Sequence, residues 1–180
     1  MPDDLAWETL DSTIDYSCPG FDVRLDTVRF PDGSEGPFHT VSEPESVVVL
    51  PFTADDELVV IEEWRQAVGR VNRGFPAGGV EPDDDDLDET ARRELAEETG
   101  YVAGSVERLL SVEPTNGIAN AVHHYYVARD CRPDGEQALD HNESIRVETT
   151  TLDALRQAVL AGEVRDGRTV LGLLYYDQTG

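Results

Sequence analysis

The sequence predicts an α+β fold: an α/β/α sandwich preceded by a small antiparallel β element. Three observations carry this expectation. Short segments with strand periodicity recur along the first half and again after residue 104. One carboxylate-rich helical segment, closed by Gly100, stands between them. Two further helical segments, the first a clear amphipathic stripe, finish the chain.

The elements follow in order. Residues 1–42 read as the N-terminal β element and 43–180 as the main domain. Phe21–Phe30 alternates apolar and polar residues, the period of a half-buried strand, and Pro31-Asp-Gly-Ser is a turn. Ser46–Phe52 is a short apolar run that reads as a central strand. Ala54–Glu57 turns the chain into its hairpin partner, Leu58–Trp64. Residues 65–78 read as a connection. Ser105–Val112, Ala121–Ala128 and Ser144–Thr149 are strands, separated by the turn Pro114–Gly117 and the polar loop 133–142. Thr151 is placed to cap a helix over Leu152–Ala161, whose stripe is Leu152, Leu155 and Val159. Asp166-Gly-Arg opens a last helix, Thr169–Tyr176.

The helix before Gly100 holds the strongest chemical signal. Glu94, Glu97 and Glu98 stand at i, i+3 and i+4 and share one face. Like charges so placed repel, and a divalent cation offsets that repulsion. Oxygen-rich sets of this kind suit Mg²⁺ or Mn²⁺. Arg93 stands beside them to orient a carboxylate, and Ala91 and Leu95 face elsewhere, toward a core.

These residues resemble the Nudix box, G-x5-E-x7-R-E-U-x-E-E-x-G-U with U a bulky apolar residue. Gly79, Arg93, Glu94, Leu95, Glu97, Glu98 and Gly100 match at the family spacing, with Asp85 where the first glutamate stands. The lead-in Phe75-Pro-Ala-Gly78 is similar to that of ADP-ribose pyrophosphatases and allows a second alignment. In it Gly78 starts the box, Asp84 replaces the glutamate and the acidic loop carries one extra residue. The resemblance implies the Nudix fold, with its mixed sheet. It also implies a metal site of Glu94, Glu97, Glu98 and Asp85, and hydrolysis of a pyrophosphate bond with Arg93 and Glu143 among the catalytic residues.

Outside the box, Trp64-Arg65-Gln66-Ala67-Val68 resembles the Q-Y-R-x-x-V segment of ADP-ribose pyrophosphatases. Arg65 is the expected phosphate clamp, and Trp64 a candidate for stacking on adenine. Gly79 and Pro114 join the substrate-binding set, Pro114 from a loose match to the family's proline-glycine turn. Glu143 lies in a stretch similar to the family's late acidic loop, where a glutamate activates water or completes the metal site. His141 occupies a place that is often acidic in relatives. Gly162–Thr169 resembles the C-terminal G-x-I-x-D-x-x-T run and reads as structural. The implied reaction converts ADP-ribose to AMP and ribose 5-phosphate. The alternatives are another nucleotide sugar, a damaged nucleoside triphosphate, a dinucleoside polyphosphate, or a noncatalytic ADP-ribose sensor.

Composition narrows the partners. The 180 residues include 38 acidic and 14 basic side chains, a formal charge of −24, and every basic residue is arginine. Such a charge argues against nucleic acid and anionic membranes as partners. It also repels itself in dilute salt, and molar salt, with a Debye length of about 3 Å, relieves that repulsion. The chain therefore reads as a cytoplasmic protein of an extreme halophile. Cys18 and Cys131 have no metal-ligand spacing and read as free thiols. The first residues lack the features of a signal peptide, and no apolar run reaches membrane-spanning length. By analogy with related enzymes, the N-terminal element builds a homodimer.

Overall fold

The computed structural model describes residues 5–81, 83, 84 and 86–179, and the chain divides into two compact units. The first comprises Met1–Glu45 and Val112–Val122, the second Ser46–Ser111 and His123–Gly180. The excursion Val112–Val122, which the sequence reading counts with the main domain, thus belongs with the N-terminal element.

The first unit is an antiparallel sheet of β1 (Glu8–Cys18), β2 (Phe21–Arg29) and β3 (Glu35–Ser42). The β2–β3 turn places Gly33 at φ 83°, a conformation that favours glycine. Arg29 bridges Glu8 and Glu35 across the three strands. Trp7 packs edge-on against Phe30 and Phe38, centroids 4.8 and 5.5 Å away. The chain 112–122 lies along β3, where Val41 N–H donates to Ile118 O at 2.8 Å. β1 is exposed along nearly its whole length. It has no buried face to write a period into the sequence, so only strand pairing reveals it.

The second unit is a seven-stranded mixed sheet. Its strands are β4 (Ser46–Thr53), β5 (Glu57–Arg65), β6 (Arg70–Gly74), β7 (Ala77–Gly79), β8 (Ser105–Val112), β9 (His123–Cys131) and β10 (Ile145–Thr151). The order is β10-β5-β4-β9-β8, with β6 paired to β5 and β7 to β4. β4 and β9 are parallel, while β4–β5, β5–β10, β5–β6 and β4–β7 are antiparallel. The expected connection 65–78 therefore contains two short strands. Their residues, Arg-Val-Asn-Arg-Gly and Ala-Gly-Gly, carry no apolar alternation, and partner strands organise them.

Helices cover both faces of this sheet. Val47 and Val49 of β4 pack with Ala91 and Leu95 of α1 (Leu87–Thr99) and with Tyr126 and Ala128. Side chains alternate along a strand, so Val48 and Leu50 face the other way. There Gly172 of α3 (Gly167–Thr179) lies so close that a β-carbon would meet Tyr125 at 3.0 Å and Leu50 at 3.2 Å. Burial on both faces explains why Val47-Val-Val-Leu50 is uniformly apolar and wholly buried. α2 (Leu152–Leu160) begins as expected, with Thr151 Oγ1 accepting from Ala154 N–H at 3.2 Å. Both cysteines are free thiols. No helix of the described residues is long and apolar enough to cross a membrane.

Candidate active site

α1 sets the site because its two ends are fixed. Asp86 caps the start by accepting from Glu89 N–H at 2.9 Å. Gly100, at φ 72°, closes the end with its N–H on Ala96 O at 2.8 Å. Between these stops, Ala91 and Leu95 bury the helix against β4. The helical period then turns Glu94 and Glu98 inward, next to β7, and leaves Glu97 half-exposed.

Two carboxylates are therefore buried. Glu98 is 3% exposed, and its Oε2 accepts from Ala77 N–H at 2.8 Å. Burial pushes its carboxyl up to about 8; the Ala77 bond opposes this, and the charges of Glu94, Glu63 and Glu143 add to it. Glu94 is pushed up to about 7, again by burial first, against the pull of Arg93 and with the help of Glu97 and Glu143. Glu94 also fills the space over Gly78. A β-carbon there would lie 2.0 Å from Glu94 Oε2, whereas one on Gly79 would meet nothing within 4 Å.

Arg93 ties the acidic loop to the helix face. Its Nε and Nη2 donate to Asp84 Oδ1 and Oδ2 at 3.0 and 2.9 Å, a bidentate pair. Nη1 donates to Glu94 Oε1 at 2.8 Å and Glu97 Oε2 at 3.0 Å, and Nη2 to Gly79 O at 3.0 Å. Asp84 also accepts from Thr90 Oγ1 and from Glu81 N–H. Arg93 and these bonds hold its carboxyl well below the usual range. Asp85 lies outside the described residues.

Glu143 stands in the loop before β10, where its Oε2 accepts from Asp140 N–H at 2.9 Å. Its charge adds, behind burial, to the raised proton affinities of Glu63, Glu94 and Glu98. Arg65, at the end of β5, places Nη2 2.7 Å from Glu63 Oε2, an ion pair without hydrogen-bond alignment. Trp64 points to the opposite face of β5, 47% exposed, with its indole N–H on Gln66 Oε1 at 2.9 Å. Trp64 and Arg65 are adjacent in sequence but do not share a surface. Pro114 belongs to the first unit.

Among the described residues, no three His, Cys, Asp or Glu side chains converge on a metal position. At the helix face, Arg93 bonds Glu94 and Glu97, and Ala77 N–H bonds Glu98. The donor chemistry nevertheless fits a hard divalent cation. Glu94 and Glu98 are buried carboxylates on one helix face beside the half-exposed Glu97, an oxygen-donor set of the kind Mg²⁺ or Mn²⁺ takes.

Glu63, Asp166 and Arg168 were not legible as site residues in the sequence. Glu63 is 7% exposed and lines a cleft with Arg65, Asp166 and Arg168. A signal existed for Glu63: strand parity from Ile61 turns it inward, where a lone acid requires a partner.

A carboxylate-faced helix packed against a mixed sheet, next to a glycine turn and an arginine-held acidic loop, is an arrangement suited to a hydrolase of pyrophosphate bonds. Residues 43–171 match the NUDIX domain, and the chain belongs to that family as a Nudix pyrophosphohydrolase. Nudix hydrolases generally use divalent metals. The chain is 30% identical over 154 residues to the methanol dehydrogenase activator of Bacillus methanolicus, covering 85% of this chain and 83% of that one. It is 28% identical over 161 residues to the ADP-ribose pyrophosphatase of Bacillus subtilis (strain 168), covering 89% and 86%. The fold is shared with the crystal structure of an ADP compounds hydrolase, with a TM-score of 0.84, 22% identity and coverage of 96% and 92%.

Proposed function

We propose that this Nudix pyrophosphohydrolase cleaves ADP-ribose to AMP and ribose 5-phosphate. The observation that carries the substrate is the likeness to an ADP-ribose pyrophosphatase over 89% of the chain, reaching beyond the family domain. The half-buried Arg65 beside the acidic face supports it.

Glu94, Glu97 and Glu98 would hold the divalent metal, Mg²⁺ or Mn²⁺, with Asp84 tied to them through Arg93. When bound, it neutralises the diphosphate and lowers the pKa of water. Arg93, anchored on Asp84, keeps Glu94 and Glu97 on one face. Arg65 orients a phosphate through its planar fork. Glu143 accepts the proton of the attacking water. Glu98 is the other carboxylate in reach, but Ala77 N–H and the metal role occupy it, whereas Glu143 stands in a wetter loop.

Two further readings accompany this one. The N-terminal sheet, with Leu10, Ile14 and Tyr16 exposed on β1, is the proposed homodimer element. The acidic, lysine-free composition supports a halophilic protein.

The test is turnover in molar KCl with Mg²⁺, with AMP release from ADP-ribose compared with products from GDP-mannose, NADH, diadenosine polyphosphates and nucleoside triphosphates. Preference for ADP-ribose is expected. Preference for another compound discards the substrate and keeps the chemistry. No turnover by folded protein favours a binding module.

A further inference from the structure

The cleft beside Arg65 holds charges that the proposed hydrolysis leaves unused. It is lined by Glu63, Arg65, Asn72, Gly74, Asp166 and Arg168. Glu63 and Arg65 come from β5, and Asp166 and Arg168 from the start of α3. That start is pinned. Asp166 Oδ2 accepts from Thr169 N–H at 2.9 Å and from its hydroxyl at 2.7 Å. Thr169 Oγ1 in turn accepts from Phe75 N–H at 2.9 Å. A β-carbon on Gly74 would fall 2.5 Å from Thr169 Oγ1, so β6 and α3 meet with no slack.

Two guanidiniums and two carboxylates thus line one partly buried cleft. Arg168 Nε lies 3.5 Å from Asp166 Oδ1, and Arg65 Nη2 lies 2.7 Å from Glu63 Oε2. Removing Arg168 would leave one guanidinium facing two carboxylates, Glu63 buried and Asp166 partly buried, and Arg65 would be held more tightly by them. With Arg168 present, its charge draws on both Glu63 and Asp166 and repels Arg65. An arginine relieved in this way can exchange a carboxylate for a phosphate at low cost.

We infer that Arg168 is a positioning residue for Arg65: it shares Glu63 and Asp166 with Arg65 and so frees the Arg65 guanidinium for the substrate's phosphate. This rests on the proposed phosphate-clamping role of Arg65.

A kinetic double-mutant cycle tests it, with Arg65→Ala, Arg168→Ala, the double variant and Arg168→Lys assayed on ADP-ribose in molar KCl with Mg²⁺. Molar salt suppresses direct attraction between Arg168 and substrate at a distance. Arg65→Ala is expected to raise KM about tenfold, the worth of one charge-assisted hydrogen bond. Arg168→Ala should raise KM severalfold with kcat nearly unchanged, Arg168→Lys should recover most of the loss, and Arg168→Ala should add nothing in the Arg65→Ala background. Additive losses overturn the inference and make Arg168 an independent contact. A fall in kcat and melting temperature at constant KM overturns it as a structural effect. An unchanged KM in Arg65→Ala removes the clamp itself, a separate failure. If Arg168→Ala does not fold, Arg168→Gln completes the same cycle.

Discussion

Arg93 grips Asp84 with two parallel hydrogen bonds, Nε to Oδ1 at 3.0 Å and Nη2 to Oδ2 at 2.9 Å, while its remaining arm reaches Glu94 and Glu97. One guanidinium thus joins the acidic loop to the carboxylate face. Lysine keeps the charge but cannot make the fork. Arg93→Lys is expected to lower kcat/KM by roughly ten- to a hundredfold, the loss of one charged hydrogen bond of about 1.5–3 kcal/mol. Asp84→Asn should cost a similar factor. Steady-state kinetics check both, and wild-type values in Arg93→Lys would refute the organising role.

Gly78 and Gly79 should behave differently. A methyl at Gly78 collides with the Glu94 carboxylate, and one at Gly79 meets nothing. Gly78→Ala should therefore cost about 1–3 kcal/mol by overpacking, several degrees of Tm in a chain of this size. Gly79→Ala should melt like the parent. The reverse order in thermal melts would place the tight contact at Gly79.

Glu94 and Glu98 give the metal-free protein a signed pH dependence. Their folded carboxyls titrate at about 7 and about 8, above the unfolded value of about 4.3. Between pH 5 and 8 the folded state therefore binds more protons than the unfolded state, and stability falls as pH rises. Urea unfolding in EDTA and molar KCl should show that slope. Glu98→Gln, which keeps an acceptor for Ala77 N–H, should flatten it. In Mg²⁺ the gain in Tm should grow over the same window. An identical slope in Glu98→Gln would remove Glu98 as its source.

Salt should act on the whole surface. With 38 acidic and 14 basic residues, self-repulsion is screened only at high ionic strength. The urea midpoint is expected to rise from 0.1 M to 2 M KCl (concentrations chosen to move the Debye length from about 10 Å to below about 3 Å). A flat response would argue against adaptation to salt.

Legibility in the sequence tracked burial and local capping. β8 runs Ser105–Val112 as expected, and β4, β5, α2 and the Gly100 stop lie within a residue or two of expectation. β4 and β5 have buried faces, β8 a half-buried one, and the helix ends have residues with a local bonding role. β1, β6 and β7 have neither, and they exist because another strand pairs with them. The same holds for Glu63, Asp166 and Arg168, which are far apart in the chain and unremarkable singly.

The linear order of residues determined the family, the helix that carries Glu94, Glu97 and Glu98, and the charge of the molecule. Those properties follow from spacing along one helix and from composition, which need no partner segment. Tertiary structure alone decided that Gly78, rather than Gly79, lies against Glu94, and that Arg93 takes Asp84. It also set Trp64 on the opposite face from Arg65 and brought Arg168 beside Glu63. Those facts depend on strand parity and on the packing of β6, β7 and α3, and distances across a fold are not written in the spacing along a chain.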